Sequence, residues 1–330
     1  MRGMRVFVVP AVLGLAVAAS ACSVSTTPGG ESGGNGGNGD GTVTIGFSQA
    51  TQQSPFYVQL REGAEQAAQD AGAELYFADA GGDVTKQNDD IQDLLTRQVD
   101  VLLINPVDPE GVRAGLAAAE AAGVPVVTVD RPVPEGAVSH VGRDNEEMGR
   151  LVGEQLAERL GDEGGVVIEI QGDAGGAVAR DRSAGFHAAV EGDSRIEIVE
   201  GPYCDYIRSK AVTAMQDLIQ TNPDVRAVYA HNDDMALGAL QVLQENGRDD
   251  VLVAGVDGLM EAVDAIAADG PYTATALNDP ISLGTTAVET ALGAAGGEDV
   301  AEQVDAGTAL IDTSNAADYT GDTVFAGARE

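Results

Sequence analysis

From residue 43 onward, short runs of β-branched and aliphatic residues alternate with longer alanine-rich amphipathic stretches, a rhythm that predicts strand and helix in turn. Strands are predicted over 43–47, 74–77, 101–104 and 124–129, with helices over 57–71, 83–97 and 111–122 between them. A second series follows, with helices over 145–160, 182–191, 211–221, 235–245 and 259–268 and strands over 166–170, 196–199, 227–230, 251–254 and 273–276. The strand runs are apolar throughout rather than alternating, as expected where helices cover both faces of a parallel sheet. The predicted fold class is therefore α/β, with two doubly wound parallel-sheet lobes. Such sheets bind ligands beyond the carboxyl ends of their strands, so two facing lobes leave a cleft lined by the loops at those ends.

The first 42 residues break this rhythm. Two arginines lie within 1–5, positions 6–19 are apolar but too short to span a bilayer comfortably, and Ala19, Ser20 and Ala21 supply small residues before Cys22. Residues 1–21 are read as a secretory signal and 22–42 as a Gly-rich tether with too little apolar surface to pack. This stretch resembles a bacterial lipoprotein signal, which implies cleavage before Cys22, a lipid on its thiol and attachment to the outer side of the cell membrane. An ordinary signal peptide would instead leave Cys22 a free thiol. Gly34, Gly36 and Gly39 have the spacing of a dinucleotide-binding fingerprint, but no strand precedes them and no helix follows, and the motif works only as a strand-to-helix turn.

Charge narrows the partners. With 53 Asp and Glu against 18 Lys and Arg, the chain cannot neutralise a phosphate backbone, which argues against nucleic acid and against anionic lipid heads. His140, His187 and His231 are widely spaced and pair with no cysteine, so neither a metal site nor a cofactor is expected. Once Cys22 carries the lipid, Cys204 has no partner for a disulfide and is expected to be a buried, inert thiol.

The polar residues after the strands are specific in type. Ser54, Phe56 and Tyr57 follow the first strand, Asn105 the third, and Asp130 and Arg131 the fourth, with Pro55, Pro106 and Pro132 pushing the residue before each of them out of the helical region. In the second series Arg182 is read as opening a helix, Tyr206 follows a strand, and Asn232, Asp257 and Asn278 stand just past strands. Carboxylate, amide and guanidinium groups grip adjacent hydroxyls through paired hydrogen bonds, and aromatic rings cover the C–H faces of a sugar. Singly, each has a plain structural use: Asp257 as a helix cap, Asn232 in a turn, Arg182 as a surface charge, Phe56 in the core.

Taken together, Ser54-Pro55-Phe56-Tyr57, Leu103-Ile104-Asn105-Pro106, Val129-Asp130-Arg131, Arg182 ahead of Gly185-Phe186, Asn232-Asp233-Asp234-Met235-Ala236-Leu237-Gly238 and Gly255-Val256-Asp257-Gly258 resemble, in order, the periplasmic sugar-binding proteins of the ribose-binding type. The resemblance spans 43–315. It implies a sugar pocket of Ser54, Phe56, Tyr57, Asn105, Asp130, Arg131, Arg182, Tyr206, Asn232, Asp257 and Asn278. It implies lobes of 43–143 plus 279–306 and 144–278 plus 307–330, joined by a three-stranded hinge near 144, 278 and 307. It also implies a monomer that closes on a monosaccharide and delivers it to an ABC permease. Tyr57 and Tyr206 stand where that pattern has phenylalanine, Asn278 where it has glutamine and Ser54 where it has asparagine, so ribose itself is not the expected ligand. Asp130 and Asp257 balance Arg131 and Arg182, which favours a neutral polyol over a phosphate or carboxylate. A tethered sensor presenting its closed form to a receptor is the alternative. Catalysis has little support: no Gly-x-Ser-x-Gly elbow, phosphate loop or His-Glu-x-x-His is present. The two arginines are also expected to depress Asp130 and Asp257, leaving no general acid.

Overall fold

A computed structural model describes residues 41–327; the predicted signal, Cys22, the glycine fingerprint and nearly all of the tether lie outside the described residues. Two six-stranded sheets form the frame. The first takes β1 (Thr44–Gln49), β2 (Glu74–Asp79), β3 (Val101–Asn105), β4 (Val126–Val129), β5 (Ser139–Gly142) and β11 (Gln303–Asp305), all parallel, in the order β11-β5-β4-β3-β1-β2. The second takes β6 (Gly165–Gln171), β7 (Ile196–Tyr203), β8 (Val225–Ala230), β9 (Leu252–Asp257), β10 (Tyr272–Leu277) and β12 (Leu310–Asp312), in the order β12-β10-β9-β8-β6-β7, with only β12 antiparallel. The same winding thus occurs twice. Each sheet reverses its strand order between its first and third strands, the point where an open α/β sheet leaves a crevice.

Helices cover both faces of each sheet, which is why the central strands are apolar and buried along their length. Among the described residues the first series carries α1 (Pro55–Asp70), α2 (Val84–Thr96) and α3 (Arg113–Ala122). The second carries α4 (Asn145–Leu160), α5 (Ala177–Val190), α6 (Arg208–Thr221), α7 (Asp233–Glu245) and α8 (Met260–Ala267), and α9 (Pro280–Ala295) and α10 (Ala316–Tyr319) follow. Helix α1 shows the local logic: Ser54 accepts from the Phe56 N–H, Pro55 takes the first helical position, and Phe56, Leu60, Ala64 and Ala68 recur at i,i+4 on the buried face.

The sequence reading needs correction in three places. Arg182 does not open a helix; α5 begins five residues earlier, at Ala177, so Arg182 sits in its second turn with its side chain buried. No element is predicted between 276 and 315, yet α9 fills 280–295. Its threonines are poor helix formers, but Thr285, Thr286 and Thr290 each return the hydroxyl to the carbonyl four residues back, and Asp279 caps the start. Strand β5 is also unpredicted, because Ser139 and His140 break the apolar run.

The chain passes from one sheet to the other after β5, β10 and β11, and Arg143 ties the three passages together. Its Nε donates to the Gly307 carbonyl (2.6 Å), Nη1 to Asn278 Oδ1 (3.0 Å) and Nη2 to Ser282 Oγ (2.8 Å). Burial lowers its pKa to about 10, against the carboxylates of Asp279, Asp130, Asp305 and Asp257.

Candidate functional site

Where the carboxyl ends of the two sheets face each other lies a small cavity of about 20 Å³. The first sheet's side contributes Phe56, Tyr57, Asp130 and Arg131; the second contributes Val178, Arg182, Tyr206 and Asp257, and Asn278 enters from the passage between them. Three of these, Asp130 (φ 66°), Tyr206 (φ 61°) and Asp257 (φ 123°), hold backbone conformations that L-residues rarely adopt. Strain of this kind persists only where the surroundings fix it, and its clustering around one cavity makes that cavity the candidate site.

Charged groups line the cavity as interlocked pairs. Arg182 Nη2 lies 3.6 Å from Asp257 Oδ1, which also accepts from Asn278 Nδ2 at 3.0 Å. Arg182 donates further to Asn145 Oδ1 (2.9 Å) and to the His231 carbonyl (2.5 Å). Across the cavity Arg131 Nε stands 3.8 Å from Asp130 Oδ2, while Nη2 donates to the Tyr57 hydroxyl at 2.6 Å. Arg131 Nε is buried without a hydrogen-bond partner among the described residues, a donor that a ligand hydroxyl can satisfy.

Three predicted site residues stand behind the lining. Asn105 donates to Asp130 Oδ2 (3.1 Å) and to the Val129 carbonyl (3.1 Å), fixing the carboxylate from below. Asn232 caps α7 through Met235 N–H and reaches the Tyr206 carbonyl, and Ser54 caps α1. Two residues escaped the sequence reading of the site. Asp173 Oδ1 accepts from the Tyr206 hydroxyl (2.9 Å) and Oδ2 lies 3.4 Å from Arg131 Nη1; Arg143 holds Asn278. Asp173 follows a predicted strand, the one signal that pointed to it, whereas Arg143 follows β5, which the sequence did not reveal. Adding them leaves three carboxylates, Asp130, Asp173 and Asp257, against three guanidiniums, Arg131, Arg143 and Arg182, so the balance of charge persists.

The expected depression of the two acids is overturned. Burial raises Asp130, and it raises Asp257 to about 6, outweighing Arg131 and Arg182 in the first case and Arg182 with Asn278 in the second. Burial opposes the charge on Arg131 too, but Tyr57, Asp173 and Asp130 together prevail and raise its pKa. Cys204 is buried and its thiol is pushed up to about 11, chiefly by that burial, so it is an unreactive group.

Beneath the site, Glu169 is fully buried on β6, with Oε1 2.9 Å from His231 Nε2 and Oε2 2.9 Å from His187 Nε2. The Gly172 N–H donates to His231 Nδ1 (3.1 Å), so His231 is the neutral tautomer with its proton on Nε2. Burial opposes the Glu169 charge, but hydrogen bonds from His231, His187 and Ser183 hold its pKa down to about 2. A folded pKa below the unfolded one stabilises the protein above the unfolded value and is lost as pH falls through the folded one. In urea unfolding, Glu169→Gln is expected to cost about 3 kcal/mol at pH 6, with the gap to wild type closing between pH 4 and 2. A gap independent of pH would rule this out.

The periplasmic binding protein domain matches residues 45–299, with the cavity residues inside that span. The chain belongs to the periplasmic binding protein family. A ribose import binding protein of Bacillus subtilis is 39% identical over 249 residues, covering 75% of this chain and 80% of its own. An ABC transporter solute-binding protein of Mycobacterium smegmatis, solved with bound glycerol, is 65% identical with a TM-score of 0.86, covering 87% of this chain and all of its own. A solute-binding protein of Bacillus halodurans with bound myo-inositol superposes with a TM-score of 0.80 at 28% identity, covering 86% of this chain and 99% of its own. These relatives are solute-binding proteins, and the chain is a binding protein of their family rather than an enzyme. Among the described residues no group of His, Cys, Asp and Glu could hold a metal ion, and no helix is long and apolar enough to cross a membrane.

Proposed function

We propose that the protein captures a neutral monosaccharide or related polyol outside the cytoplasm, closes its lobes over it, and delivers it to an ABC permease. The charge-balanced cavity carries this reading, since its carboxylates accept from hydroxyls and its guanidiniums donate to them with no surplus cation for a phosphate. Relatives that carry ribose, glycerol and myo-inositol agree with it in class. In this reading the lobes are 43–143 plus 279–306 and 144–278 plus 307–330, the unit is a monomer, and Cys22 carries the lipid that tethers it to the membrane. Ligand engages both lobes only when they close, so it shifts the open–closed equilibrium by its preference for the closed form.

Thermal unfolding against a panel of pentoses, hexoses, polyols and their phosphates tests it. A neutral sugar at a hundred times its dissociation constant should add about 2.7 kcal/mol, raising the midpoint by a few degrees. Asp130→Ala should remove that rise. A response confined to phosphates or carboxylates would defeat the neutral-polyol reading.

A further inference from the structure

The two tyrosines that stand where the ribose-binding pattern has phenylalanine spend their hydroxyls on one cluster. Tyr57 accepts from Arg131 Nη2 at 2.6 Å, and Tyr206 donates to Asp173 Oδ1 at 2.9 Å. Asp173 Oδ2 then lies 3.4 Å from Arg131 Nη1, which closes a chain running from Tyr57 through Arg131 and Asp173 to Tyr206. Tyr57 and Arg131 belong to the first sheet's side, Asp173 and Tyr206 to the second. The two charged side chains are only 11% and 20% exposed, so water screens their attraction weakly. The cluster also forms a wall. Tyr57, Arg131 and Tyr206 line both the inner cavity and a second, outer cavity reaching to Thr51, Gln53 and Lys210, and Asp173 faces the outer one. The second lobe's half of the wall is fixed by close packing, since a Cβ on Gly172 would lie 2.3 Å from the Tyr206 ring.

We propose that Asp173 is a latch: it holds the lobes together by gripping Arg131 directly, whatever occupies the inner cavity. The proposal rests on the sugar-capture reading for its purpose but not for its test. A contact between the lobes that involves no ligand raises the closed fraction of the free protein, and apparent affinity scales with that fraction. A latch therefore changes affinity for every ligand by the same factor, whereas a residue that touches one ligand changes the ratio between ligands.

Small-angle X-ray scattering of the ligand-free chain, compared with Asp173→Asn and Asp173→Ala, gives the first readout. Asparagine keeps the size and an acceptor for Tyr206, so it removes the ionic grip without disturbing packing, and circular dichroism checks that both variants fold. A larger radius of gyration in both variants than in wild type is expected. Titration of D-ribose and xylitol is the second readout, with both expected to bind about tenfold more weakly to Asp173→Asn, in equal proportion. Superimposable scattering curves from all three proteins overturn the latch, and so does loss of one sugar alone. Should neither sugar bind wild type, scattering alone decides the latch, and only failure of the whole panel of pentoses, hexoses and polyols defeats the sugar reading.

Discussion

Arg182→Ala is expected to abolish sugar binding and to lower the unfolding free energy by about 3–5 kcal/mol, the usual penalty for leaving a buried charge without its partner. Arg182 and Asp257 are 3% and 4% exposed, and burial already lifts the Asp257 carboxyl to about 6 against the pull of Arg182 and Asn278. Removing the guanidinium takes away the larger of those two opposing effects. Asp257 must then bind a proton or carry its charge unpaired, and Asn145 Oδ1 and the His231 carbonyl lose their donor. Protonated, the carboxyl no longer accepts from a sugar hydroxyl as an anion; charged, it is a buried anion that has lost the guanidinium holding it in place. Arg182→Lys should recover part of the stability and little of the binding, because an ammonium cannot reach Asn145, His231 and Asp257 from one plane. Urea unfolding and calorimetric titration read the two effects separately. A stable Arg182→Ala protein that binds normally would show that Asp257 is held by its amide neighbour alone.

Much of this site was legible because its chemistry is local to strand ends. Asp130, Arg131, Asp257 and Asn278 follow apolar runs, and a doubly wound sheet delivers such residues to one edge whatever the details of packing. What stayed hidden depends on partners far apart in the chain. Arg143 meets Asn278 and Gly307 across 135 and 164 positions, and Glu169 meets His231 across 62, separations that no window of sequence reports. The start of α5 was hidden for a different reason. The run Gly172-Asp173-Ala174-Gly175-Gly176 reads as loop, and the helix begins directly after it with no side-chain cap to announce it. The depression expected of the two acids failed on magnitude: counting arginines gave the sign of the Coulomb attraction, while desolvation of a closed cavity, invisible in the sequence, is larger.

The placement of Arg182 rests in turn on two glycines, and Gly185→Ala is expected to destabilise the protein by about 3 kcal/mol or more. Helices α4 and α5 cross with their backbones in contact: a Cβ on Gly185 would lie 1.8 Å from the Glu146 carbonyl oxygen, and one on Gly149 would lie 2.0 Å from the Arg182 carbonyl oxygen. Both obstacles are backbone, so no rotamer change relieves them and the helices must separate; overpacking that side chains can absorb already costs about 1–3 kcal/mol. The usual gain from Gly to Ala inside a helix, about 1 kcal/mol, offsets only part of this. Because Arg182 stands three residues before Gly185 on the same helix, any separation also carries its guanidinium away from Asn145 on α4 and from Asp257. Binding should therefore fall along with stability, by at least tenfold if a single charged hydrogen bond is lost. Gly321→Ala, where an added methyl group meets nothing within 4 Å, is the control and should unfold like wild type. If Gly185→Ala unfolds at the wild-type urea concentration, α4 and α5 are not in backbone contact in solution, and the site's geometry does not depend on their crossing.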